Sequence, residues 1–196
     1  MARRSVKIGS ATILLAVLCV FNACTEDTPR PKPPQIDATK FEPVYRAAKG
    51  IQGALTVGVN YAKFGELLQA FATEVSSAAD KANRPEEQKV LGAYKEILSI
   101  YKDSFVIWQR DINEHNNPKG LAGLPVGEVD VRNEIVPIVE KYKLPTKART
   151  QEYSGYKYKT ISSESKQFLW QLADEKIRAV VALTSGQPVQ EDIFRK

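Results

Sequence analysis

From Leu91 to Ile112, apolar residues recur at Leu91, Tyr94, Leu98, Tyr101, Phe105, Trp108 and Ile112, in steps of three and four throughout. Only an α-helix brings that spacing to one face, and an unbroken three-four repeat makes a straight seam that a second helix can follow. Val90 and Ile97 widen the seam on one side, Ile100 and Ile107 on the other, so this helix is expected to touch more than one neighbour. Tyr61, Phe64, Leu68, Phe71, Val75, Ala78 and Ala82 repeat the same series. Between the two runs lies Asn83-Arg84-Pro85-Glu86-Glu87. Proline at a first helical position, with acids at the positive end of the helix dipole, is a restart signal. The two helices are therefore expected to fold back as an antiparallel hairpin. The expected pairs are Ala82 with Leu91, Val75 with Leu98, Leu68 with Phe105, Phe64 with Trp108, and Tyr61 with Ile112.

Upstream, Phe41, Val44, Ala48, Ile51 and Leu55 step by three and four, which predicts a first helix with Pro43 in its first turn. Gly58 suits the residue that ends a helix and Asn60 is a strong N-cap for the next, so a tight break is expected over 56–60. A continuous helix with a phase slip is the alternative. Downstream, Glu114 to Glu128 is rich in Asn, Pro and Gly and is expected to be a loop. A short helix is expected over 133–142, where Ile135, Ile138, Val139 and Tyr142 share a face, ending at Leu144-Pro145. Tyr153-Ser154-Gly155-Tyr156, followed by alternation through Lys157, Tyr158 and Lys159, fits a small β-hairpin. A last helix is expected from Ser162 or Ser163, carrying Phe168, Leu169, Leu172, Ala173, Ile177, Val180, Val181 and Thr184, and stopping at Gly186-Gln187-Pro188. The fold class expected is mainly α: a small antiparallel, up-and-down bundle of about four helices built on the long hairpin.

Charge changes this picture less than it first promises. The net charge is +5, but Arg3, Arg4 and Lys7 lie in an N-terminal segment that contains no acid. Without those three the balance is 25 basic against 23 acidic residues. Nucleic-acid binding needs a clustered positive field and is not expected. The only cysteines are Cys19 and Cys24, and the only histidine is His115. The folded domain therefore has no cysteine pair for a disulfide or thiolate metal site, and one histidine makes no multi-histidine centre.

The first residues read as an export signal: a basic start through Lys7, then an apolar run from Ile8 to Val20, with no charge until Glu26. Val20-Phe21-Asn22-Ala23-Cys24 resembles the lipobox of bacterial lipoproteins. It has a bulky apolar residue at minus three, a small one at minus one, and the cysteine to be lipidated. Phe21 and Asn22 stand where that family usually has Leu and a small residue. The resemblance implies a lipid on Cys24 and that Thr25, not being aspartate, would permit sorting to an outer membrane where the host has one. An uncleaved membrane anchor and secretory cleavage after Ala23 are the competing readings. Pro29, Pro31, Pro33 and Pro34 then make a tether, extended at about 3.1 Å per residue and giving on the order of 30 Å of reach. The expected organisation is a signal over 1–23, lipidated cysteine and tether over 24–36, and the helical domain over 37–196.

Motifs of chemistry are missing from the sequence: it has no Gly-rich phosphate loop, HExxH, GxSxG or CxxCH. No cofactor, metal or catalytic residue is assigned. Glu66 and Glu74 flank a seam as a carboxylate pair, though solvated helix charges explain them better. His115 fits a cation at a helix C-terminus. Trp108, Trp170 and Phe64 could line an aromatic pocket for a small apolar ligand, with core packing as the simpler role. Lys141, Lys143, Lys147, Arg149, Lys157 and Lys159, interleaved with Tyr142, Tyr153, Tyr156 and Tyr158, make a candidate contact surface for an envelope protein or an anionic polymer. A solvated connecting loop is the competing role. The expectation is an envelope-anchored lipoprotein acting as a non-catalytic interaction or structural module. The alternative is a helical bundle that binds a small apolar or aromatic ligand.

Overall fold

The computed structural model describes residues 36–116 and 124–186. The leader, Cys24 and the tether as far as Gln35 lie outside the described residues, as do the stretches 117–123 and 187–196. The described residues are mainly α, with five helices and a small three-stranded antiparallel sheet.

A 3-10 turn, Ala38–Phe41, opens the domain; the Asp37 carboxylate accepts from Thr39 N at 3.1 Å and caps it. α1 (Glu42–Val57) follows with Pro43 in its first turn and buries Val44, Ala48 and Ile51, the predicted face. Gly58 ends it at φ 90°, a value that side chains resist. Asn60 then caps α2 (Tyr61–Ala79), its side chain accepting from Lys63 N at 2.8 Å. The chain breaks where its glycine and asparagine predict.

α3 (Pro85–Asn116) has 32 residues and a length of about 48 Å. It starts at the predicted proline and is buried on several sides, from Val90 and Leu91 through Ile100, Tyr101 and Ile107. Its aromatic contacts with α2 run in opposite order along the two helices. Tyr61 stacks on Phe105 at 4.3 Å, Phe64 meets Tyr101 at 6.2 Å, and Phe71 meets Tyr94 at 6.4 Å. Phe64 also meets Trp108 at 5.8 Å, as expected, but Tyr61 meets Phe105 and Trp108, one to two turns short of the expected Ile112. The reason is the connection: α2 ends at Ala79 and α3 restarts at Pro85, so the turn is centred earlier than the expected pairs assume. Gly65 helps the close approach, since a Cβ there would meet the Phe105 ring at 3.4 Å.

Glu87 fixes the α2–α3 turn. Its Oε2 accepts from the backbone N–H groups of Asn83 (3.2 Å) and Arg84 (3.3 Å), which the start of a helix leaves unsatisfied. Lys40 donates to both of its oxygens at 2.9 and 3.0 Å, and the Arg84 guanidinium donates at 2.7 and 2.9 Å. The side chain is fully buried, and Lys40 and Arg84 hold the carboxyl at about 2.

β1 (Glu128–Asp130) lies where the sequence predicts only loop and its margin. α4 (Ile135–Tyr142) ends at Lys143, whose left-handed φ of 51° closes the helix. β2 (Lys147–Thr150) and β3 (Lys157–Ser162) form the expected hairpin, and the strand order is β1-β3-β2. α5 (Ser165–Thr184) begins slightly later than expected because Ser162 still belongs to β3. It buries Leu169, Ala173, Ile177 and Val180, while Phe168 and Val181 remain partly exposed. α1, α2, α3 and α5 pack together, and Val129 and Ile161 bring the sheet into the same core. Among the described residues no helix is long and apolar enough to cross a membrane.

Candidate functional site

The hairpin and the sequence before it carry most of the residues singled out as a contact surface. β2 and β3 pair in the register Lys147–Thr160, Ala148–Lys159, Arg149–Tyr158 and Thr150–Lys157. Strand side chains alternate between faces. One face therefore holds Lys147, Arg149, Tyr158 and Thr160, and the other Ala148, Thr150, Lys157, Lys159 and Ile161. The two faces differ in charge.

On the first face, Glu128 of β1 gathers the cations. Arg149 reaches it through two nitrogens, Nε at 2.9 Å and NH2 to Oε1. Thr160 donates to its Oε2 at 2.7 Å, and Lys147 lies 3.5 Å from its Oε1. Glu128 is nearly buried, and Arg149 holds its carboxyl at about 2. Asp130, also buried, pairs with Arg132 and lies 3.8 Å from Arg110. Its backbone N–H donates to Glu114 at 3.1 Å, which ties the outer edge of β1 to the end of α3. Lys147 and Arg149 are thus both paired within the molecule, two cations sharing one carboxylate. So is Lys141, bound to Asp103 at 2.7 Å and lying 4.9 Å over the Tyr142 ring. Tyr142 itself donates to Asp103 at 2.7 Å and is half-buried.

The remaining members are open. Lys143, Lys157 and Lys159 are exposed, and none has an ion-pair partner among the described residues. Tyr153 is 94% exposed at the hairpin turn, and Tyr156, half exposed, stacks on Tyr158 at 6.4 Å. A tyrosine left in water exposes a large apolar ring face.

No family model, curated protein or solved structure matches the chain.

The aromatic trio lies elsewhere. Phe64, Trp108 and Trp170 come together from α2, α3 and α5, with ring centroids 5.7–5.9 Å apart. Phe64 is fully buried, and Trp170 Nε1 donates to the buried Ser104 hydroxyl at 2.9 Å. The three rings touch one another in the core between these helices. Glu66 is exposed and pairs with Lys63 at 2.9 Å. His115 sits in the last turn of α3, its Nδ1 2.7 Å from the Asp111 carbonyl. Among the described residues no group of three or more His, Cys, Asp or Glu is placed to hold a metal ion. Cys24 lies outside the described residues.

Sequence reasoning missed Glu128 and Asp130. Glu-Val-Asp is too short to show apolar alternation, and its burial depends on Arg132 close by and on Arg110 and Arg149 about 20 residues away. The nearest signal is the run of basic residues in β2, which requires an acid opposite it.

Proposed function

We propose that this chain is an envelope lipoprotein, held by lipid on Cys24, whose helical domain is a non-catalytic module that contacts a partner protein through the β2–β3 hairpin. The leader supports the anchoring: an apolar run ends at Ala23-Cys24 and a proline-rich tether follows. α1, α2, α3 and α5 serve as an up-and-down bundle of about four helices built on the α2–α3 hairpin, a rigid support for the sheet. The observation that carries the contact assignment is Tyr153, 94% exposed, at the tip of a hairpin whose Lys157 and Lys159 lack internal partners. Aromatic and cationic residues presented together are typical of contact surfaces.

The test is crosslinking of the full-length protein in intact cells, with adducts mapped by mass spectrometry. One dominant protein adduct on residues 141–159 is expected, lost in Tyr153→Ser and changed in Cys24→Ser, which leaves an unlipidated precursor. Equal adduct yield from Tyr153→Ser and the unaltered protein would remove the hairpin from the function. Crosslinks to polysaccharide in place of protein would assign the surface to an anionic polymer.

A further inference from the structure

β2 is the open edge of the sheet: its only strand partner among the described residues is β3. The direction of its backbone follows from the register. Gln151 N donates to Tyr156 O at 2.8 Å, so Arg149 and Lys147, in phase with Gln151, also turn their N–H and C=O groups towards β3. Ala148 and Thr150 are out of phase and turn theirs outward, to solvent. β3 agrees, since Lys159 O is taken by Val131 N of the β1 side at 2.9 Å. An edge with free donors and acceptors is a template for another strand; this one is four residues long with Lys147 and Arg149 on it, and among the described residues no proline, bulge or helix covers it.

The cations beside this edge that have no acid partner lie on one face. On the other face, Arg149 and Lys147 are held by Glu128. On the Ala148–Thr150 face, Lys157 and Lys159 have no ion-pair partner among the described residues. They project beside Thr150 and Ala148, their register partners, both exposed and both short. A lysine on the inner strand can lay its four-carbon stem across such small neighbours and bring its ammonium to the edge. The two lysines are two residues apart on one strand, about 7 Å, which is also the repeat of same-face residues on any added strand.

Resting on the contact role of the hairpin, we infer that β2 receives an extended segment of a partner protein as a fourth strand, and that the segment has acidic residues at alternate positions. Backbone bonds to Ala148 and Thr150 align the segment. Its acidic face then meets Lys157 and Lys159, while on its other face Arg149 and Lys147 already share Glu128. This is strand addition with charge selecting the register.

The probe is a short peptide of alternating Glu and Thr, compared with its isomer carrying the same residues in two blocks. Binding to the full-length protein in detergent is followed by NMR chemical-shift titration. The alternating peptide is expected to bind about tenfold more tightly than the block isomer. Its shifts should centre on the Ala148 and Thr150 amides. Ala148→Pro removes one outward N–H at an edge position that tolerates proline; it should abolish binding while keeping the helical melting curve. Lys157→Glu with Lys159→Glu, which leaves the backbone intact, should weaken binding by about the same factor. Equal binding of the two isomers, unchanged binding by Ala148→Pro, or no binding of the alternating peptide would each overturn the inference. A concentration-dependent dimer lost in Ala148→Pro would also overturn it, by making the occupant a second copy. The two readings fail separately: a cellular adduct that Tyr153→Ser loses but Ala148→Pro retains leaves the hairpin as a contact surface and removes strand addition.

Discussion

Glu87 and Glu128 do the same work at opposite places in the chain, each a buried carboxylate satisfied by surrounding cations and donors. Both carboxyls sit at about 2 in the folded protein, against an ordinary 4.5. Between those values the unfolded chain binds protons that the folded chain excludes, so stability is complete above about pH 5 and falls as the pH drops from 4.5 towards 2. Circular-dichroism melts should give a midpoint that is level from neutrality down to about pH 5 and declines below it. Glu87→Gln keeps an acceptor for the Asn83 and Arg84 amides but loses the charge that Lys40 and Arg84 require. Its melting midpoint at pH 7 should fall by roughly 5 °C, and its acid decline should be shallower than that of the unaltered protein.

At the scale of elements, chemistry that acts over a few residues is the most legible. Gly58 and Asn60 mark the α1–α2 break because one supplies a positive φ and the other an oxygen for a free N–H. Asn60→Ala should cost about 1 kcal/mol, measured by urea denaturation, since it removes the cap and little else. The α2–α3 pairing is legible in direction but displaced by one to two turns at its open end. Periodicity fixes which face of a helix is buried, whereas register depends on where Glu87 closes the connection. β1 is not legible: three residues are too few for an alternating pattern, and two of them are acids whose partners come from β2, α3 and Arg132. The contact surface is legible as a composition of lysine and tyrosine. The separation of its cations into paired and unpaired sets is not, because it requires knowing that Arg149 faces Glu128 while Lys157 faces away.

For the molecule as a whole, one hydrophobic core includes residues from every helix and from β1 and β3. Phe71, fully buried, meets both Tyr94 and Tyr101 near the middle of α3. Phe71→Ala should therefore destabilise the domain by about 3–5 kcal/mol. Hydrogen exchange should show the β1–β3 amides opening together with those of α2 and α3, as a single core requires; sheet amides that kept their protection would separate the two. The tryptophan pair has a consequence of another kind. The chain contains two tryptophans, and both lie in one cluster, 5.7 Å apart, with the Tyr61 ring 5.8 Å from Trp108. Nearly all the intrinsic emission of the protein therefore comes from a single point where α2, α3 and α5 meet. A fluorescence signal will report the separation of those three helices and stay blind to the hairpin, however firmly a partner is bound there.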